Sequence, residues 1–163
     1  QYGVAPDVVA FGKKTQVCGI YASNRVDEVP ENVFVRSSRI NSTWGANLVD
    51  MVRAKRIIEI ILDENLHENA AERGKQFVQG LRDLAKERSG ISNVRGVGTL
   101  VAFTCENNAS RDALLSNLMD NKILALASGE ESVRFRMSMV VTADEINLAL
   151  ERIGACLPTG ASA

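Results

Sequence analysis

Apolar residues follow two different spacings along the first half of the chain. Short runs rich in β-branched and aromatic residues come first, and such runs predict strands. The predicted strands are 7–11, 17–22 and a short third one at 33–35. A polar, turn-rich stretch follows, and the apolar positions then recur every three or four residues, which predicts helices over 48–64 and 66–88. The first helix is apolar around so much of its circumference that we expect other parts of a protein to cover it on more than one side.

The pattern changes again after Gly90, where strands and helices alternate. The predicted strands are 98–104, 123–127 and 133–137, and the predicted helices begin at the capping residues Ser110 and Thr142 and end near Met119 and Cys156. Thr142 and Glu145 have the spacing of a capping box. Alternation in the last strand places Arg134 and Arg136 on one face and Phe135 on the other. Residues 91–157 are therefore expected to form a compact α+β unit.

Composition excludes several classes of protein. The chain has 163 residues, of which 45% are hydrophobic and 24% charged, and its net charge is −1. These values exclude a disordered chain, and the near balance of charges argues against a nucleic-acid partner. No run of about 18 apolar residues is present, so no membrane span is predicted. Three widely spaced cysteines and a single histidine predict neither a disulfide framework nor a metal site, and favour the cytoplasm.

One candidate for chemistry is Lys13, which directly follows a predicted strand and Gly12. A lysine that forms a Schiff base must be a rigidly placed amine, and the end of a strand is a rigid position. The alternative is that Lys13 and Lys14 are an ordinary solvated pair.

Two other segments carry polar groups of a kind that binds anions. Ser42 and Thr43 precede a predicted helix, where hydroxyls and backbone N–H groups can hold a phosphate, although such residues are more often plain helix caps. Arg134 lies on a strand among apolar neighbours and can hold a carboxylate through two parallel hydrogen bonds, or else pair with a structural acid.

Taken together, and in order, residues 5–19, 41–45 and 133–136 resemble the C-terminal part of the class III pyridoxal-phosphate-dependent aminotransferases. The resemblance implies an α/β protein of fold type I. It also implies that residues 1–47 end the large cofactor-binding domain, that residues 48–64 form a linking helix, and that residues 65–163 form the small C-terminal α+β domain. The chain has no initiator methionine and starts in mid-pattern at Gln1, so we expect it to be a piece of a longer chain.

The same resemblance implies a role for each candidate residue. Lys13 would be the catalytic residue that binds pyridoxal 5'-phosphate and moves the proton. Ser42 and Thr43 would hold the cofactor phosphate from across a homodimer interface, so that the active site is shared between subunits. Arg134 would bind the α-carboxylate of the substrates. Met137-Ser138-Met139 stands where the family usually has Pro-Pro-Leu, so we expect a looser loop after the arginine strand.

Within the family, the resemblance is greatest to members that use L-lysine as the amine donor. The implied reaction transfers the ε-amine of L-lysine to 2-oxoglutarate and gives the 6-semialdehyde and glutamate. Residues that this family places upstream are missing here, so the chain is expected to be inactive alone. Ornithine and 4-aminobutyrate remain alternative donors. A different alternative is a non-catalytic α+β interaction domain in which Lys13 is a surface lysine.

Overall fold

The computed structural model describes residues 3–40, 43, 45 and 47–160. The chain divides into two compact units, Gln1–Asp63 and Glu64–Ala163. Within the described ranges, no helix combines the length and the apolar character needed to cross a membrane.

The first unit is built on a small antiparallel sheet. Strand β1, Val8–Phe11, pairs with strand β2, Gly19–Ala22, so that Phe11 lies opposite Gly19. A Cβ at Gly19 would lie only 2.4 Å from the tip of the Phe11 ring, so the ring can cross β2 only because a glycine is present there. The two strands confirm the first two strand predictions, and they fix both ends of the segment that contains Lys13.

The third predicted strand is wrong, because residues 33–35 form turns. The amide of the buried Asn32 explains the difference. Its nitrogen donates to the carbonyls of Val26 and Val29, at 3.1 and 3.0 Å, and its oxygen accepts from the backbone N–H of Phe34 at 3.0 Å. One side chain therefore satisfies three backbone groups and curls the segment, which a β-rich pattern alone does not reveal.

Helix α1, Leu48–Asp63, has the predicted position. It is less covered than predicted, since Ala54 is its buried residue and its apolar side chains are largely solvent-exposed. The exposed ones are Leu48, Val49, Met51, Val52, Ile58 and Leu62. The described residues therefore do not cover this helix on more than one side.

Up to residue 160, the second unit consists of a four-stranded antiparallel sheet and three helices. The helices are α2, Leu66–Glu87, α3, Asn108–Asp120, and α4, Ala143–Cys156. The strands are β3, Ser92–Val97, β4, Leu100–Thr104, β5, Leu126–Ser128, and β6, Ser132–Arg136. Their order across the sheet is β3-β4-β6-β5.

One face of this sheet and the helices enclose the hydrophobic core. Phe77 of α2 meets Phe135 of β6 edge to face, with ring centroids 5.2 Å apart, and Phe103 of β4 is fully buried beside them. The other largest buried side chains are Leu81, Val101, Leu118, Val133, Ile146 and Ile153. The core lies on one face of the sheet. Because successive side chains of a strand point to opposite faces, those next to the core residues, including Arg134, lie on the other face.

Three details of this unit differ from the predictions. Strand β3 was not predicted, because an irregularity in the pairing between Ser92 and Arg95 interrupts its alternation. The cap of α3 is Asn107, whose side chain accepts from the backbone N–H of Ser110 at 2.9 Å, and not Ser110 itself. Strand β5 is shorter than the predicted 123–127. The capping box of Thr142 and Glu145 is confirmed.

Candidate active site

Lys13 follows β1 and Gly12 directly and opens a single turn of 3₁₀ helix, Lys13–Thr15. The backbone on both sides of it is held by short-range hydrogen bonds. The N–H of Gln16 donates to the Lys13 carbonyl at 2.9 Å, and the Thr15 hydroxyl donates to the Val17 carbonyl at 2.8 Å. Lys13 itself has a φ of 57°, in the left-handed region that few residues other than glycine and asparagine adopt. The β1–β2 connection therefore sets the direction in which this side chain leaves the backbone.

The Lys13 side chain is exposed and carries an available amine. Within the described ranges it forms neither an ion pair nor a side-chain hydrogen bond. Its neighbour Gly12 is closely packed, since a Cβ there would lie 3.0 Å from the Cys18 sulfur. A larger residue at position 12 would press on Cys18, the residue just before β2.

The predicted phosphate contacts are only partly visible. Ser42 lies outside the described residues. Thr43 lies in an exposed turn. The cap of α1 is formed further on, by Asn47, whose side-chain oxygen accepts from the N–H of Val49 at 3.0 Å and whose carbonyl accepts from the N–H of Met51 at 3.1 Å. Since Asn47 does the capping, the alternative reading of Thr43 as the cap of this helix is not supported.

Arg134 occupies the middle of β6. Its neighbours along the strand, Val133 and Phe135, are buried on the opposite face. It is half-buried, and its Nε is buried without a hydrogen-bond partner in the described structure. No acid forms an ion pair with it among the described residues, so the structural-acid alternative finds no support there. A buried guanidinium N–H with no protein partner is suited to a carboxylate ligand.

Two further arginines share the sheet face of Arg134. Arg136 follows two residues later on the same strand and is exposed. Arg95 of β3 lies opposite Ala102 of β4, and Ala102 lies opposite Arg134 of β6. Arg95 and Arg134 therefore stand in one row across the sheet, with Ala102 between them. We call Arg95, Arg134 and Arg136 the arginine face. Sequence reasoning missed Arg95, because the signal that places it there is the alternation of a strand that was not predicted.

The loop after β6 is anchored by hydrogen bonds. The backbone N–H of Met137 donates to the Thr99 carbonyl at 3.0 Å. The Asn69 amide on α2 donates to the carbonyls of Met139 and Val141 at 2.8 and 3.0 Å. Hydrogen bonds to Thr99 and Asn69 therefore hold this loop in the absence of prolines, and the expectation that it is looser than in the family stays a prediction.

Lys13 and Thr43 belong to the first unit and Arg134 to the second. One unit thus carries an amine in the connection of a hairpin, and the other carries a guanidinium on the sheet face opposite the core.

Comparison with known proteins identifies the family to which these features belong. The family model for class III aminotransferases matches residues 1–157. The chain is 46% identical, over 159 residues, to the L-lysine-epsilon aminotransferase of Mycobacterium tuberculosis, covering 97% of this chain and 35% of the relative. It is 32% identical to a 4-aminobutyrate aminotransferase of Dictyostelium discoideum, covering 90% of this chain and 29% of that one.

A solved structure agrees with the sequence comparisons. The lysine aminotransferase of M. tuberculosis, in its internal aldimine form, superimposes with a TM-score of 0.86 at 45% identity, over 94% of this chain and 36% of that one. The match confirms the predicted fold class, the α/β fold type I of pyridoxal-phosphate-dependent transferases. The chain spans about a third of the length of the relatives it matches. The chain belongs to the class III aminotransferases, a family whose cofactor is pyridoxal phosphate.

Proposed function

We propose that this chain carries the cofactor-binding lysine and a carboxylate-binding arginine of an L-lysine 6-aminotransferase. The reaction transfers the ε-amine of L-lysine to 2-oxoglutarate and yields the 6-semialdehyde and glutamate. The observation that carries the proposal is the Lys13 amine, which is exposed, unpaired within the described ranges and held at the end of a hydrogen-bonded hairpin. The identity to lysine aminotransferases, higher than to a 4-aminobutyrate enzyme, supports lysine as donor.

The residues present fit pyridoxal phosphate. An aldehyde needs an amine with no competing acid beside it, and Lys13 meets this condition in the described structure. Lys13 would hold the cofactor, and Thr43, with Ser42, would hold its phosphate from the other subunit. When bound, the cofactor withdraws electrons from the substrate carbon and so makes its proton removable.

The chain's own residues would then move the proton and orient the substrate. The Lys13 Nζ, once unprotonated, would take the proton from the amine-bearing carbon of the donor. In the second half of the reaction it would deliver a proton to the carbon of 2-oxoglutarate that becomes the α-carbon of glutamate. The Arg134 guanidinium would grip the α-carboxylate by two parallel hydrogen bonds, one of which can satisfy the buried Nε. A carboxylate fixed in this way leaves the distal amine of the substrate free to reach the cofactor, which selects the ε-amine over the α-amine.

We further propose that residues 1–47 and 65–163 belong to the large and the small domain, joined by the helix at 48–64. The active protein would be a cytoplasmic homodimer. Residues 1–163 would not turn over by themselves, because groups that orient the cofactor ring lie in the part of the family fold that this chain does not span.

The test is a donor comparison in the complete native polypeptide that carries this chain, loaded with pyridoxal phosphate. Glutamate formation from 2-oxoglutarate is measured with L-lysine, ornithine and 4-aminobutyrate. We expect the highest kcat/KM with L-lysine. We expect Lys13→Arg to lower the rate with every donor by about a thousandfold, the scale of lost acid–base catalysis.

Lys14→Arg is the matched control, because Lys14 is the adjacent exposed lysine in the same turn. It should keep the parent rate. A higher kcat/KM with ornithine or 4-aminobutyrate would identify that amine as the donor. An equal loss of rate in the Lys13 and Lys14 variants would contradict the proposed role of Lys13.

A further inference from the structure

The open face of the sheet carries a concentration of positive charge that the proposed reaction uses only in part. Arg95, Arg134 and Arg136 all lie on this face, and none of them forms an ion pair within the described ranges. The acids nearest to Arg134 and Arg136 along the chain, Glu130 and Glu131, precede β6 and form no ion pair with the arginine face within the described ranges. One arginine would suffice for one carboxylate, so the other two need a separate explanation.

Arg95 is held in place by hydroxyl and carbonyl groups, which do not neutralise it. Its Nη1 donates to the Asn93 carbonyl at 2.9 Å and to the Thr104 hydroxyl at 3.1 Å. Its Nη2 donates to the Ser132 hydroxyl at 2.9 Å. Ser132 stands two residues before Arg134 on β6, so the Arg95 guanidinium reaches across β4 to the strand that carries Arg134.

The spacing of the strands sets the distances between the backbone positions of these three arginines. Residues two apart on a strand are about 6.7 Å apart, and residues two strands apart are about 9.5 Å apart. Arg136 and Arg95 therefore stand within about 10 Å of Arg134 along the strand and across the sheet. At this range charges still act on one another strongly in dilute salt, where the screening length is about 30 Å.

We propose that the arginine face selects a dianionic ligand, a dicarboxylic acid of the size of 2-oxoglutarate, with Arg95 and Arg136 acting as specificity-determining charges around Arg134. The inference rests on the proposed function, in which Arg134 binds a substrate carboxylate. The same potential disfavours a cationic ligand such as free lysine. The arginine face would thereby distinguish the amine acceptor from the amine donor by charge. Arg134 would contact the ligand, and Arg95 and Arg136 would act on it at a distance.

The expected size of the effect follows from Coulomb's law. In the dielectric of water, one charge at about 8 Å changes the affinity for a dianion about fivefold and that for a monoanion about twofold. In ~10 mM salt, each of Arg95→Gln and Arg136→Gln should therefore weaken the binding of glutarate about fourfold and the binding of butyrate about twofold. At about 150 mM salt the change for glutarate should fall below twofold, because the screening length shrinks to about 8 Å.

The experiment is an NMR titration of the 163-residue chain with glutarate and with butyrate, at both salt concentrations. Glutarate has two carboxylates but no keto group, so its binding does not depend on transamination. Arg134→Gln should abolish the binding. Arg82→Gln is the control for charge removal, because Arg82 is an exposed arginine of α2, the helix that packs on the opposite face of the sheet.

Arg95 also links three strands, so a structural effect must be separated from a charge effect. Arg95→Lys keeps the charge and loses the fork of hydrogen bonds, and it should retain most of the preference for glutarate. Equal losses in the Lys and Gln variants, accompanied by a lower melting temperature, would overturn the proposal. So would unchanged glutarate affinity in both Arg95→Gln and Arg136→Gln, or no binding of glutarate to the parent chain at tens of millimolar.

A kinetic measurement separates this proposal from the proposed function. In the complete cofactor-loaded polypeptide, Arg95→Gln should lower kcat/KM for 2-oxoglutarate more than for the monoanion pyruvate and leave that for L-lysine unchanged or higher. If Lys13 binds no cofactor, the proposed function fails while the glutarate titration still stands. If transamination proceeds but the preference among acceptors depends neither on their charge nor on salt, only the proposal for the arginine face is refuted.

Discussion

Gly74 is the position at which one methyl group should damage the second unit most clearly. It is a buried residue in the middle of α2, where the helix presses against the turn between β3 and β4. A Cβ at position 74 would lie 2.0 Å from the carbonyl oxygen of Gly98 and 2.5 Å from its carbonyl carbon. Ordinary contact begins near 3.4 Å, so the helix and the turn would have to separate by more than an ångström.

Two effects of opposite sign meet in the Gly74→Ala variant. Alanine is the better helix former by about 1 kcal/mol, which stabilises an exposed helix. Overpacking of a close contact costs about 1–3 kcal/mol or more, and here the opposing atoms are backbone atoms that cannot rotate away. Because these atoms cannot rotate away, we take the upper end of the overpacking cost, about 3 kcal/mol, and after the gain of about 1 kcal/mol expect a net loss of about 2 kcal/mol in the free energy of unfolding. That is a large part of the ~5–15 kcal/mol typical of a domain.

Urea denaturation followed by circular dichroism at 222 nm measures this loss. With a slope of about 1–3 kcal/mol per molar urea, the midpoint should fall by roughly 1 M. Gly80→Ala is the matched control in the same helix, because the atoms nearest to its Cβ would all belong to the Leu150 side chain, with the methyl carbons at 2.2 and 2.8 Å and Cγ at 3.1 Å, and a side chain can rotate. Its loss should be clearly smaller. A Gly74→Ala variant as stable as the parent, at an unchanged slope, would refute the close approach of α2 to Gly98.

Four further predictions concern the same unit and the cysteines. Phe103→Ala should lose about 3–5 kcal/mol of stability in urea, because a fully buried ring is removed, and a loss under 1 kcal/mol would contradict the placement of Phe103 in the core. Thr142→Ala should lose about 1 kcal/mol with the capping box. The backbone and hydroxyl of Thr142 lower the pKa of the Glu145 carboxyl, so its contribution is present above the ordinary pKa near 4.5 and disappears as the pH falls through the lower folded-state value. In Glu145→Gln, the urea midpoint should therefore fall less between pH 7 and pH 3 than it does in the parent. An equal fall in both proteins would contradict this contribution of Glu145. Burial raises the pKa of the Cys105 and Cys156 thiols, so a thiol reagent should modify only Cys18 in the folded chain and all three in urea, and fast labelling of all three when folded would be inconsistent with this core.

The sequence predicts the second unit well wherever a local rule decides the structure. Strict alternation in β6 buries Val133 and Phe135 and leaves Arg134 and Arg136 on the other face. The Thr142 capping box is equally local. Strand β3 was missed because its pairing irregularity breaks the alternation, and Arg95 was missed with it.

Other features depend on groups that a local pattern does not register. The apolar run 33–35 satisfies the composition of a strand, yet the Asn32 amide bonds its backbone into turns. The loop after β6 lacks prolines, yet Asn69 reaches it from 70 residues away in sequence. In the candidate site, physical reasoning from sequence identified Lys13 only as a rigidly placed amine, and its role came from the resemblance to a family. Its exposed, hydrogen-bonded setting was visible only in the structure.

The most direct test of the account is the chemical identity of the residue that binds the cofactor. The complete native polypeptide is incubated with pyridoxal phosphate and reduced with borohydride, and the modified peptide is mapped by mass spectrometry. The account predicts a reduced phosphopyridoxyl group on Lys13 that is lost in Lys13→Arg and kept in Lys14→Arg. An unmodified Lys13, or a label that divides equally between Lys13 and Lys14, would contradict it.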